Sequence, residues 1–149
     1  AALEAHGLSP VEGDAIALAA DRLAAGRVIG WAVGRLEFGP RALGHRSIVA
    51  HPGHPGVQDR VNDIKDRQSW RPFGPSVLAE HADAWFVDAD FGPFMTFTAD
   101  VVPDKRDQVS GIVHEDGSTR PQSVDHDTNP AWRSLTVPPR YPGRTNYVW

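Results

Sequence analysis

The 149-residue chain has no cysteine. A disulfide framework, a thiolate zinc site and a cysteine nucleophile are thereby excluded together. No apolar run approaches the ~18 residues of a membrane-spanning helix, and the N-terminus lacks the basic and apolar regions of a secretory signal. The resulting expectation is a cytoplasmic protein without a membrane partner. A broad basic face is missing as well: the formal charge is −4, which speaks against a nucleic-acid groove. Serine, histidine and aspartate do not fall into a convincing nucleophilic triad. The chain begins at Ala1 rather than at methionine, so a piece of a longer protein is expected.

Loop-forming sequence, by contrast, is abundant. Fourteen glycines and thirteen prolines argue for long ordered loops in a chain large enough for one domain with a sizeable core. The charge is unevenly spread, with nets of −2 over residues 1–34, +3 over 35–71 and −5 over 72–149. A positive field confined to one segment suits a small anionic ligand. The segment begins with GRLEFGPRALGHRSIVA at 34–50, where Arg35, Arg41 and Arg46 stand among Gly39, Pro40 and Gly44 with one acid, Glu37. Arginine forks match the oxygens of phosphates and carboxylates, so a shaped anion site is one reading. An internal Arg–Glu network that pins a loop is the other.

The spacing predicts a helix over Val11–Ala25, opened by a Ser9-Pro10-Val11-Glu12 capping box and closed by Gly26. A buried strand is expected over Val28–Val33 and a second over Ser47–Ala50. His51 and His54 lie in a turn-rich link and are read as solvent-facing, not as metal ligands. A helix over Gly56–Lys65 would bury Val57, Val61 and Ile64, with Glu37 orienting an arginine neighbour in the preceding loop. Arg71 sits inside Trp70-Arg71-Pro72-Phe73, a setting that would hold it in place. Further strands are expected over Ser76–Ala79 and over Met95–Val102, the latter with Met95, Phe97, Ala99 and Val101 on one core face. A short helix or turn at Glu80–Phe86 separates them. A charged link at Pro103–Gln108 leads to a hairpin, Val109–His114 and Ser118–Val124, joined by Asp116-Gly117. Ala131–Leu135 starts a helix, and 136–149 is expected to be an extended or disordered tail.

Three blocks carry a resemblance: GRLEFGPRALGHRSIVA at 34–50, KDRQSWRPFGPSV at 65–77 and HEDGSTRPQSV at 114–124. In this order they resemble the C-terminal domain of the O-carbamoyltransferases of antibiotic and nodulation-factor biosynthesis. The match covers roughly residues 10–135, which suggests a partial domain over 1–135. The resemblance implies an α/β fold, a YrdC-like twisted mixed sheet with flanking helices. It also implies a reaction in which carbamoyl phosphate and ATP, with Mg²⁺, yield carbamoyl adenylate. A separate N-terminal domain would hold the family's metal and pass the carbamoyl group to a small-molecule hydroxyl. No metal ligand is therefore assigned to His51, His54 or His126.

Carried over by motif, Arg41, Lys65 and Arg71 are the expected catalytic residues. Arg35, Arg46, Arg67, His114, Arg120 and Gln122 are the expected contacts to ATP and carbamoyl phosphate. Two departures stand out: 136–149 lacks the N-T-S-F-N segment usual after the Asn-Pro dipeptide, and Gln68-Ser69 stands where a glutamate is common. Three other readings compete. One is a non-catalytic nucleotide- or anion-binding module, one an RNA-associated threonylcarbamoyl adenylate synthase, and one a structural cap on a larger enzyme.

Overall fold

The computed structural model describes residues 3–127 and 129–136. The first helix, α1, spans Ala15–Ala24 and starts later than its capping box suggested. Gly13 has φ of +133°, which a helix cannot pass through, and Asp14 caps instead. Its Oδ1 accepts from the backbone N–H groups of Ile16 and Ala17 at 2.9 and 3.3 Å, replacing two missing intrahelical bonds. Gly26 closes the helix in the left-handed region, as expected. His54 does not face solvent freely: its Nε2 donates to the Ala24 carbonyl at 3.1 Å. Arg60 donates to the Gly26 carbonyl at 2.6 Å, so the last turn of α1 is held from outside.

Strands β1 (Ile29–Ala32) and β2 (Arg46–Val49) pair antiparallel, with Ile29 opposite Val49 and Ala32 opposite Arg46. β1 is half exposed rather than buried, because β2 is its one strand partner among the described residues. Helix α2 spans Val57–Ile64 and buries Val57, Val61 and Asn62, while Ile64 is exposed. β3 (Ser76–Leu78) leads into a 3₁₀ turn, Ala79–Ala84. β4 (Phe86–Val87), β5 (Ala99–Val101) and β6 (Ser118–Thr119) form an antiparallel sheet in that order. β7 (Gln122–Val124) runs parallel to β3, with Ser76 opposite Gln122, and α3 occupies Pro130–Thr136. Strands paired both ways and flanked by helices make this a mixed α/β fold, in agreement with the YrdC-like expectation.

Two expected elements differ. The run from Met95 is not one strand: Met95 has φ of +53°, Phe97 is exposed, and pairing begins at Ala99. The hairpin is also absent among the described residues. Pro103–Ile112 winds into 3₁₀ turns with a kink at Val109, while the two halves of the second arm pair with β5 and β3. The Asp116-Gly117 turn itself forms, with the His114 N–H donating to the Ser118 carbonyl at 2.9 Å. The dipeptide encodes the reversal; the partners of the arms are chosen by burial elsewhere. The predicted tail lies outside the described residues except for Thr136, which ends α3.

The core has two clusters. One gathers Val57, Val61, Phe73, Val77, Phe86, Phe91, Val101 and Ile112 beneath α2 and the three-stranded sheet. The other packs Leu23 of α1 against Val49, Val124, Trp132 and Leu135. Each buried aliphatic contributes about 1.5–3 kcal/mol. The second cluster meets the arginine-bearing loop at Gly44, whose carbonyl accepts from Trp31 Nε1 at 3.1 Å and Asn129 Nδ2 at 3.3 Å. A methyl group on Gly44 would overlap the Trp132 ring, and the residue has φ of +103°. Gly44→Ala is therefore expected to cost about 2 kcal/mol or more through overpacking and backbone strain. A lowered urea midpoint with an unchanged slope would be the readout.

Candidate anion-binding site

The loop between β1 and β2 is shaped by Glu37. Its Oε1 accepts from the backbone N–H groups of Leu43 at 2.8 Å and His45 at 2.7 Å, and its Oε2 from that of Arg46 at 3.0 Å. Burial favours the neutral acid, but these backbone donors outweigh it and hold the carboxyl below its ordinary value of 4.5. Glu37 thus organises the backbone and not, as expected, a neighbouring guanidinium. Arg46 closes the same loop, donating to the carbonyls of Val33 at 2.9 Å, His45 at 2.8 Å and Gly34 at 3.1 Å. Gln122 fastens the loop to the sheet: its Nε2 donates to the Leu43 carbonyl at 3.0 Å, and its Oε1 accepts from Ser76 Oγ at 2.7 Å.

Held this way, the loop presents Arg41 to a cavity of about 290 Å³. Arg41 Nε donates to the Met95 carbonyl at 2.9 Å, which fixes the side chain, and among the described residues its terminal nitrogens have no hydrogen-bond partner. The second motif supplies Arg67 and Arg71 to the same wall, and the third supplies His114 and Arg120. Gly74 and Met95 form part of the lining. A methyl on Gly74 would lie 2.7 Å from the Arg120 carbonyl oxygen, so glycine lets two backbone segments close around the cavity.

Asn62, fully buried on α2, builds the arginine pair from below. Its Nδ2 donates to the carbonyls of Ser69 at 2.9 Å and Arg71 at 3.0 Å. Its Oδ1 accepts a short bond from Arg67 Nε. The Arg67 guanidinium also reaches the Pro72 carbonyl at 3.3 Å and lies 4.2 Å from the Phe73 ring centre. Desolvation first, and the charge of Arg71 second, lower its affinity for the proton. No carboxylate lines this cavity, and none of its four arginines forms an ion pair among the described residues. Crowded, unneutralised cations create a field that an anion relieves.

Three of the sequence-predicted residues, Arg35, Arg46 and Gln122, are not on the cavity wall, and Arg35 is exposed on its loop. Lys65 lies outside the wall too, although neighbouring atoms strip water from its ammonium, and Arg67 and Arg71 add repulsion, so that its pKa is lowered. Sequence reasoning missed the positioning roles of Asn62, Gly74 and Met95. Only Asn62 had a usable signal: amides at 58 and 62 stand four apart, on one helix edge beside an apolar stripe.

Comparison with known proteins places the three motifs within one family. The family profile described as "Carbamoyltransferase C-terminus" matches residues 20–138, which include all three blocks. The chain belongs to this carbamoyltransferase C-terminal family. It is 47% identical over 123 residues to the nodulation protein NolO of Bradyrhizobium diazoefficiens, covering 80% of this chain and 22% of that protein. It is 36% identical over 126 residues to the 3′-hydroxymethylcephem-O-carbamoyltransferase of Amycolatopsis lactamdurans, covering 85% of the chain and 23% of the relative. The protein of that name from Streptomyces clavuligerus is 38% identical over 113 residues, with coverage of 76% and 21%. The chain therefore spans about a fifth of the length of these relatives. Among the described residues no helix is long and apolar enough to cross a membrane.

The lowered carboxyl of Glu37 has a signed consequence. Its folded-state pKa lies below the unfolded value, so the stability it contributes is fully present above 4.5 and is lost as pH falls through the folded value. Glu37→Gln should melt lower than the parent at neutral pH, and the gap should close on acidification. Melting curves from about pH 7 to about pH 3 test this linkage; a gap independent of pH would remove the charge from the explanation.

Proposed function

We propose that this chain is the carbamoyl-adenylating part of an O-carbamoyltransferase that acts on a small-molecule hydroxyl. The observation that carries the reading is the convergence of Arg41, Arg67, Arg71, His114 and Arg120, drawn from three separate motifs, on one cavity without a carboxylate. Such a cavity suits reactants that are polyanions. Water cleaves the C–O bond between carbamoyl group and phosphate, giving carbamate and inorganic phosphate. A carbamate oxygen then attacks the α-phosphorus of ATP; the new O–P bond forms as the bond to pyrophosphate breaks. Neither step needs a covalent protein nucleophile.

The arginines act by position and charge. They draw together reactants that repel one another in water, and they stabilise charge on the departing pyrophosphate. Arg41 and Arg67 are already fixed by Met95 and Asn62, so little reorganisation accompanies the reaction. Lys65, close to Arg67 and Arg71, adds positive charge from outside the wall. The residues present do not form a protein cage for Mg²⁺: no group of three metal-ligating side chains exists among the described residues, and Glu37 is committed to backbone amides. Mg²⁺ is accordingly assigned to the triphosphate and to no step above. Transfer to the acceptor belongs to a further domain, for which the greater length of the relatives leaves room. The ATP requirement places the reaction in the cytoplasm.

The test is isotope exchange between pyrophosphate and ATP, with and without carbamoyl phosphate. Exchange that depends on carbamoyl phosphate supports adenylation in this chain, whereas nucleotide binding without exchange in either this chain or a longer parent supports the non-catalytic module. Arg41→Ala should reduce exchange by about a hundredfold or more, the scale of losing one preorganised charge-stabilising group. Its melting transition should stay cooperative; loss of that transition would return Arg41 to the loop-pinning reading.

A further inference from the structure

The grip of Glu37 on the arginine loop is joined to the rest of the fold through a histidine of that loop. His45 lies off the cavity wall, half-buried between the loop and the head of α3. Its Nδ1 is buried and makes no hydrogen bond of ordinary length, yet Glu37 Oε1 stands 3.5 Å away. Across the ring, Nε2 faces the Asn129 amide nitrogen at 3.4 Å. Asn129 has no freedom to turn. Its Nδ2 also donates to the Gly44 carbonyl at 3.3 Å, and its Oδ1 accepts from the Trp132 backbone N–H at 3.1 Å. Reversing the amide would set oxygen against a carbonyl and N–H against N–H, at a residue that is 7% exposed. The amide therefore donates to Nε2, and the ring proton belongs on Nδ1, directed at the Glu37 carboxylate.

From these contacts we infer that His45 is a positioning residue for Arg41, acting as the neutral Nδ1-protonated imidazole, and that a second proton on the ring weakens anion binding in the cavity. This role rests on the anion reading above and adds regulation by pH to the same site. The neutral ring closes a circuit. Glu37 holds the backbone of Leu43, His45 and Arg46, His45 steadies Glu37, and Asn129 ties both the ring and Gly44 to α3. Protonation puts a hydrogen on Nε2, where it meets the Asn129 N–H. Two donors then face one another, and a buried amide loses its acceptor. The new charge also attracts Glu37, but Nδ1–H already points at that carboxylate, and an ion pair whose imidazole is 32% exposed gains little. Loss of the Asn129 link outweighs it. Among the described residues Glu37 is the charged side chain paired with the ring, while Arg46 meets the His45 carbonyl. Imidazole ordinarily changes charge between about pH 5 and 8, a range in which Glu37 stays ionised.

The probe is inorganic sulfate, whose own charge is constant over that range, titrated into the 149-residue chain and followed by NMR. At about pH 7.5 the imidazole nitrogen shifts of His45 should report the Nδ1–H tautomer. His45→Ala should bind sulfate about fivefold more weakly than the parent there, the scale of one net hydrogen bond. That gap should close as the pH falls to about 5. His45→Gln offers an N–H to Glu37 and a carbonyl to Asn129 without a titrating group. It should match the parent at the higher pH and bind more tightly than the parent at the lower. His114 on the cavity wall is common to all three proteins, so its charge cancels in the comparison. A gap that persists unchanged in acid would make His45 a packing residue and overturn the proposal. Equal affinity of parent and His45→Ala, or an Nε2–H tautomer, would overturn it too while leaving the arginine cavity standing. The tautomer and the His45→Gln comparison decide the matter even where His45→Ala does not fold. Failure of a cooperatively melting parent to bind sulfate at any pH would overturn the anion reading and this role together.

Discussion

One carboxylate, Glu37, gathers the backbone N–H groups of Leu43, His45 and Arg46, and the placement of Arg41 depends on that grip. A glycine- and proline-rich loop has many conformations in the unfolded chain, and ordering each residue costs about 1–2 kcal/mol of backbone entropy. Hydrogen bonds to a charged acceptor are stronger than neutral ones, which makes a single partly buried acid an efficient way to offset that cost. Gln122 then joins the ordered loop to β3 and β7. Loop, sheet and cavity are consequently one mechanical unit.

The same division between holding and presenting recurs in the second motif. Asn62 holds Arg67 and the backbone at Ser69 and Arg71; Arg67 and Arg71 face the cavity. Buried polar groups that satisfy one another are costly to rearrange, so the site is preorganised by neutral amides while its charge is left unspent. The arginine segment therefore divides between the two expected roles. Arg46 belongs to the network that pins the loop, and Arg41 lines the cavity.

Local sequence made some elements legible and others not. Gly26 as a helix stop, α2 and its Val57–Val61 stripe, and the Asp116-Gly117 reversal all follow from interactions within a few residues. The start of α1 was misread because two caps compete there and Gly13 decides between them. The hairpin was misread because turn chemistry says nothing about which strand an arm will join. β6 and β7 are separated from their partners β5 and β3 by long stretches of chain, and no short-range signal reports such pairings. Phe97 read as core by alternation and is exposed, since Met95 turns the backbone before the strand begins.

The sequence by itself determined the chemical inventory: arginines concentrated in two motifs, a third motif with His114 and Arg120, no thiol, and a resemblance extending through all three blocks. That was enough for the α/β class and for the expectation of an anionic ligand, because residue type and spacing carry charge and local backbone preference. Only the tertiary structure decided which of those residues share a wall. Arg41, Arg67, Arg71, His114 and Arg120 meet there, while Arg35, Arg46, Lys65 and Gln122 stand outside it. The reason is physical: a cavity is made where distant segments close on one another, and that closure is governed by burial and long-range pairing, which no motif contains.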